Sequence, residues 1–77
     1  MAQEEFRVEQ QVRFRGSAFF DRSVGHFANV RKAIEEGLIL TVVRTSRFWG
    51  DQFLTVRRPD GTIWPRELNA NLFELVP

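Results

Sequence analysis

The sequence predicts a mainly β domain of five short antiparallel strands with one short helix. Three observations carry this. Residues 6–15 and 38–76 break into short runs in which apolar and polar side chains alternate, the period of a half-buried strand. Gly and Pro punctuate the runs, most clearly at Pro59, Asp60 and Gly61, where Pro presets φ, Asp bonds its own backbone and Gly accepts positive φ. One stretch alone, residues 27–36, repeats its apolar positions at helical spacing.

In the first strand, residues 6–15, Phe6, Val8, Val12 and Phe14 share one face, and Arg7, Glu9, Gln11, Arg13 and Arg15 share the other. Gln10 interrupts the apolar series, so a bend is expected near Gln10 and Gln11. Gly16 and Ser17 end the pattern, and residues 16–26 read as a loop with Phe19 and Phe20 tucked inward. Phe27, Val30, Ala33 and Ile34 then mark a helix over residues 27–36, with Arg31 and Glu35 four apart and Gly37 suited to a left-handed cap.

Residues 38–45 are β-branched and apolar on both faces, as a central strand requires. A loop containing Gly50 follows over residues 46–51, and residues 52–58 form the next strand. Thr62, Ile63 and Trp64 pair back as a short strand stopped by Pro65, with Trp64 inward and Ile63 outward. Residues 66–71 allow a single helical turn, and residues 72–76 close the domain as a final strand. On this reading residues 38–76 form one continuous antiparallel meander whose tightest turn is at Pro59, Asp60 and Gly61.

The 77 residues suit one domain over 1–77, with residues 1–5 frayed. A chain this short buries only roughly 60% of its unfolded surface, so its core depends on large side chains. Eight Phe and two Trp supply them, and with no cysteine neither disulfides nor thiolate metal sites can help. Met1 reads as a natural start. The acidic segment after it lacks the apolar run of a secretory signal, and no stretch approaches the ~20 apolar residues of a membrane span, so a cytoplasmic protein is expected.

Ten of the eleven cationic side chains are arginine, and the net charge of +1 conceals an uneven distribution. Residues 11–32 carry five positive groups and one negative, residues 37–66 carry five arginines and two aspartates, and the remaining segments are acidic. Segregation of this kind can place a basic face on a nearly neutral molecule, although a bias toward arginine codons produces the same composition without a ligand.

Five short strands, a tight turn before a short fourth strand, one compact turn and a closing strand resemble the Src homology 3-like small barrel; residues 58–69 and 72–76 carry the likeness. The N-terminal third is similar to the KOW variant of that barrel, through Val12 to Phe14, Gly16 to Phe19, and Gly25 to Val30. The resemblance implies a five-stranded antiparallel barrel and, for its KOW form, a strand at residues 25–31 in place of the helix. A fold of this kind hosts many functions, so function must be argued from side chains.

No constellation points to catalysis. His26 stands alone, without a second His or any Cys to complete a metal site or a nucleophile and base pair. The serines lack a nucleophile elbow, no Gly-rich phosphate loop follows a strand, and the adjacent pairs Glu4 and Glu5, and Glu35 and Glu36, diverge rather than converge. The expectation is a protein that is not an enzyme and takes neither cofactor nor metal. An active site assembled only between subunits of a symmetric oligomer stays open, as does a homo-oligomer generally.

Phe48 and Trp49, preceded by Arg44 and Arg47, are the sharpest candidates, because Trp and Arg are enriched at interface hot spots. The competing reading folds Trp49 over an open end of the sheet as core. The leading expectation is an interaction module that binds a protein partner through Arg44, Arg47, Phe48 and Trp49. The alternative is RNA or DNA bound by Arg13, Arg15, Arg44, Arg47, Arg57 and Arg58, with Trp49 stacking on a base. A net charge of only +1 favours the protein partner, since phosphate binding needs a larger electrostatic contribution. Arg57, Arg58 and Arg66 serve equally well as a solvated edge that discourages strand addition.

Overall fold

The computed structural model of the chain describes residues 5–22, 24 and 27–77. They form β1 (Gln11–Phe14), a 3-10 turn (Gly16–Phe20), α1 (Ala28–Glu36), β2 (Leu40–Phe48), β3 (Asp51–Arg57), β4 (Leu68–Asn69), a second 3-10 turn (Ala70–Leu72) and β5 (Phe73–Leu75). The five strands make one antiparallel sheet in the order β4-β3-β2-β1-β5. The predicted class, mainly β with five antiparallel strands and one helix, is what the chain adopts. The ladders do not join β4 to β5, so the sheet is open, with those two strands as its edges.

The alternating positions fill one core. Phe6, Val12, Phe14, Leu40, Val42, Leu54, Val56 and Phe73 are buried on the inner side of the sheet, and α1 covers them with Val30 and Ala33. Phe14 stacks on Phe73 with centroids 4.7 Å apart and meets Trp64 edge-on at 5.5 Å. Trp64 is buried and Ile63 half exposed, the division their alternation requires.

The helix spans nearly the expected residues because its stop signal is strong. Gly37 adopts φ 61°, and the N–H of Leu38 reaches back to the Ala33 carbonyl at 3.0 Å, satisfying a carbonyl that the last turn leaves unpaired. Ala28–Glu36 is therefore helix, which corrects the strand that a KOW-like N-terminal third implies at residues 25–31. Ser23, Gly25 and His26 lie outside the described residues, so the reading of His26 has no structural counterpart here.

Four further expectations are corrected. The first strand begins only at Gln11, because Val8 and Glu9 form a turn in which Glu9 has φ 78° and Val8 is exposed. Phe20 points outward at 83% exposure, since the 3-10 turn buries only Ala18. Thr62 to Trp64 makes a single bridge, Arg57 with Ile63, and the strand beside β3 resumes at Leu68. The meander is also incomplete: β5 pairs with β1 and not with β4, because the turn at Ala70–Leu72 redirects the chain across the core.

The turn at Pro59, Asp60 and Gly61 has the predicted chemistry. Gly61 N–H donates to the Arg58 carbonyl at 2.9 Å, and Gly61 has φ 92°. The Thr62 hydroxyl and N–H both donate to Asp60 Oδ1, at 2.7 and 2.9 Å. Those two bonds, helped by the Arg58 charge, hold the Asp60 carboxyl below its ordinary value.

Two outcomes follow. Phe73→Ala should cost about 3–5 kcal/mol in urea unfolding, because it removes a fully buried ring and its stack on Phe14. Asp60, with a depressed folded pKa, contributes fully above its unfolded pKa and loses that contribution as pH falls through the folded value. A carboxyl titration followed by NMR should place its midpoint below that of a free Asp, and a midpoint at or above the free value would remove the turn from the acid limb of stability.

Candidate functional site

A bulge decides where the β2 side chains go. Val42 pairs with Val56 and Arg44 with Thr55, so Val43 is the extra residue. Before it, Leu40 and Val42 face the core. Unbroken alternation would carry Arg44, Ser46 and Phe48 inward after them. One inserted residue reverses the phase. Thr45 and Arg47 now take the inner side, opposite Leu54 and Gln52, and Arg44, Ser46 and Phe48 take the outer side, opposite Thr55, Phe53 and Asp51.

The hairpin closes with only Trp49 and Gly50 between paired residues Phe48 and Asp51. Trp49 has φ 55° and Gly50 φ 81°, the two positive values that match the twist of a two-residue hairpin. This is a tighter turn than the expected loop over residues 46–51, and tighter than the one at Pro59. Gly is at ease at such a φ, but a bulky side chain there costs roughly 1–2 kcal/mol. Trp49 bears that strain while 87% exposed, with Phe48 64% exposed beside it. Their rings meet edge-on at 5.7 Å and 89°. Trp49 is thus no part of the core, and the tip is an apolar projection.

The expected anchor residues are not all on one surface. Arg44 lies on the outer side with Phe48, where its Nη2 is 3.4 Å from Glu67, and Ser46 Oγ donates to the same carboxylate at 3.3 Å. Arg47 emerges on the opposite side and pairs with Glu5. Behind Arg47, the Gln52 amide accepts from Phe6 N–H at 3.0 Å and donates to Phe6 carbonyl at 2.8 Å, which fastens the N-terminal segment over the core. Gln52 lies in register with buried Leu54 and Val56, and its partner is forty-six positions away, where no local pattern points.

The arginines of the nucleic-acid reading are dispersed and largely engaged. Arg13 on β1 binds Glu74 through Nε and Nη2 at 3.0 and 2.9 Å. Arg15 is half buried, its N–H bonded to the Leu72 carbonyl at 2.8 Å. Arg58 lies over the Trp64 ring at 4.5 Å and reaches Thr62 Oγ1 at 3.1 Å, and Arg57 is exposed at the far end of β3. The ion pairs are exposed, each worth about 0–1 kcal/mol. Their effect on a ligand is larger, because a phosphate must compete with a carboxylate already in place.

Sequence reasoning missed a recess of about 460 Å³ between α1 and β4, walled by Val30, Trp64, Pro65, Leu68 and Leu72, with Arg66 and Glu67 at its mouth. Its walls come from three distant segments, so no local pattern announces it. Among the described residues no cluster of three or more acidic or histidine side chains could hold a metal, and no helix is long and apolar enough to cross a membrane. No family model, curated protein or solved structure matches this chain.

Because Trp49 is strained and exposed, Trp49→Asn should leave stability unchanged or raise it by about 1 kcal/mol. Chemical denaturation checks this, and a loss of several kcal/mol would return Trp49 to the core.

Proposed function

We propose that the chain is a non-catalytic interaction module of Src homology 3-like type that binds a protein partner through the tip of the β2–β3 hairpin. What supports this type is five short antiparallel strands with a compact 3-10 turn before the closing strand, in a sheet that is open between β4 and β5. The observation that carries the functional reading is Trp49, a bulky residue at φ 55° and 87% exposure where Asn or Gly suits the turn better. Backbone strain retained at an exposed aromatic, with no gain to the core, is the mark of a side chain held out for a partner.

Phe48 and Trp49 are the anchors. Arg44 shares the side of Phe48 and forms one rim of the contact, while Arg47 forms the opposite rim with Glu5. The tip is not strongly basic, because Glu5, Glu67 and Asp51 offset Arg44 and Arg47. That balance favours an apolar pocket on a protein over a polyphosphate backbone, and it supports the nucleic-acid reading less than composition alone does.

A double substitution, Phe48→Ala with Trp49→Ala, should abolish capture of the partner from a cell extract while thermal unfolding stays unchanged. A fluorescent single-stranded oligonucleotide should bind only at low salt, with binding lost as salt rises. Tight oligonucleotide binding at physiological salt that drops on Trp49→Ala would replace the protein partner with nucleic acid, since it joins phosphate contacts to base stacking worth roughly 1–3 kcal/mol.

A further inference from the structure

The hairpin tip and the recess both belong to this chain, one a projection and the other a hollow. The tip projects two aromatic rings. The recess, about 460 Å³ and lined by Val30, Trp64, Pro65 and Leu72 with the polar Asn29 and Asn69 among them, lies within the roughly 300–1,000 Å³ of small-molecule pockets. We propose that the partner of the hairpin is a second copy of this chain, with Trp49 of each copy seated in the recess of the other. The inference rests on the hairpin reading above and assigns its occupant.

Placement on the molecule favours a closed pair over an open chain. The tip connects β2 to β3, and the recess opens beside β4, the next strand of the sheet. Glu67 joins the two features directly: it lines the recess mouth and bonds Arg44 and Ser46 on the outer side of the hairpin. A projection at the β2–β3 turn and a receptor beside β4 can be exchanged reciprocally between two copies about a twofold axis.

Area and charge agree with this arrangement. With Trp49 87% and Phe48 64% exposed, one tip offers about 350 Å² of aromatic surface, taking roughly 150–250 Å² per ring. Two tips, together with the recess walls they cover, remove about 1,000 Å² from water, short of the roughly 1,200–2,000 Å² of a tight interface and the size of a weak, reversible contact. Asp51, exposed at the base of the tip, has no ion-pair partner among the described residues. Arg66 at the recess mouth stands 5.8 Å from the Phe27 ring with its charge directed to no carboxylate among those residues. Seating Trp49 brings these opposite charges to the same rim.

Sedimentation equilibrium of the whole chain from micromolar to millimolar concentration tests this. The expected result is a rise from the 9.0 kDa monomer toward twice that mass, with a blue shift of tryptophan emission over the same range as Trp49 leaves water. Trp49→Ala should remain monomeric throughout and keep its fold by circular dichroism. Asp51→Arg and Arg66→Asp should each weaken association by about tenfold, and the two combined in one chain should restore it. A chain that stays monomeric at every concentration overturns the inference, as does a dimer that Trp49→Ala leaves intact. If the monomer still captures a different protein through Phe48 and Trp49, the hairpin reading stands and only the second copy is lost; if it captures nothing, both fall.

Discussion

The pairing of β1 with β5 is the constraint on which the rest of the structure depends. It joins Val12, Arg13 and Phe14 to Leu75, Glu74 and Phe73, from opposite ends of the chain. Closing so long a loop costs conformational entropy that a short ladder cannot repay by hydrogen bonds alone. The compensation comes from what the ladder brings together: Phe14 on Phe73, and Trp64 against the edge of Phe14. With β5 on one side and β2 on the other, β1 is an interior strand of a sheet open elsewhere, and its Val12 and Phe14 become the floor on which α1 rests. β1 is only four residues long and meets β2 at Leu40 and Thr41 alone, so the far half of β2 is paired on one side only, by β3. That geometry lets the hairpin project.

The projection is built from two local departures from regularity that act together. The bulge at Val43 rotates the outer half of β2 so that Arg44 and Phe48 leave the core side, and the turn at Trp49 and Gly50 closes the hairpin without extra residues. Either alone achieves less. Without the bulge, Arg44 would be aimed toward buried Leu54 and Val56, at a desolvation cost that an exposed Glu67 could not offset. A longer loop would hold Trp49 on a flexible tether, and seating it in a pocket would then cost the entropy of ordering that loop. On the proposed reading the strain at Trp49 has a use: it fixes in advance a position that binding would otherwise have to fix.

What the sequence made legible divides along the same line. Alternation placed Phe6, Val12, Phe14 and Trp64 inward, and helical spacing ended by Gly37 placed α1, because each depends on neighbours a few positions away. The bulge was not readable, since Val42 and Val43 are chemically alike and only the opposite strand shows which is extra. The two-residue turn was not readable either, since Trp is the last residue that turn chemistry suggests at positive φ. Phe20 misled for a third reason: apolarity predicts burial on average, yet a 3-10 turn of five residues has only one side to bury. The candidate residues Phe48 and Trp49 were legible as types. That Arg44 and Arg47 flank them on opposite sides required the register.

Charge at the tip follows from the same register and determines what can drive association. Arg44 and Arg47 each meet a carboxylate, Glu67 from the approach to β4 and Glu5 from the N-terminal segment, so neither arrives at a partner as a bare cation. Exposed pairs like these add little to stability, but they lower the long-range field that would draw the tip to a polyanion. The remaining driving force is the removal of two aromatic rings from water, which is short-ranged and depends on shape. On the proposed reading, recognition by such a tip would come from a cavity of the right form, with charges at its rim setting orientation. Arg13, Arg44 and Arg47 thus pair with acidic side chains of the same chain, and the tip is left with Phe48 and Trp49 as its exposed aromatic pair.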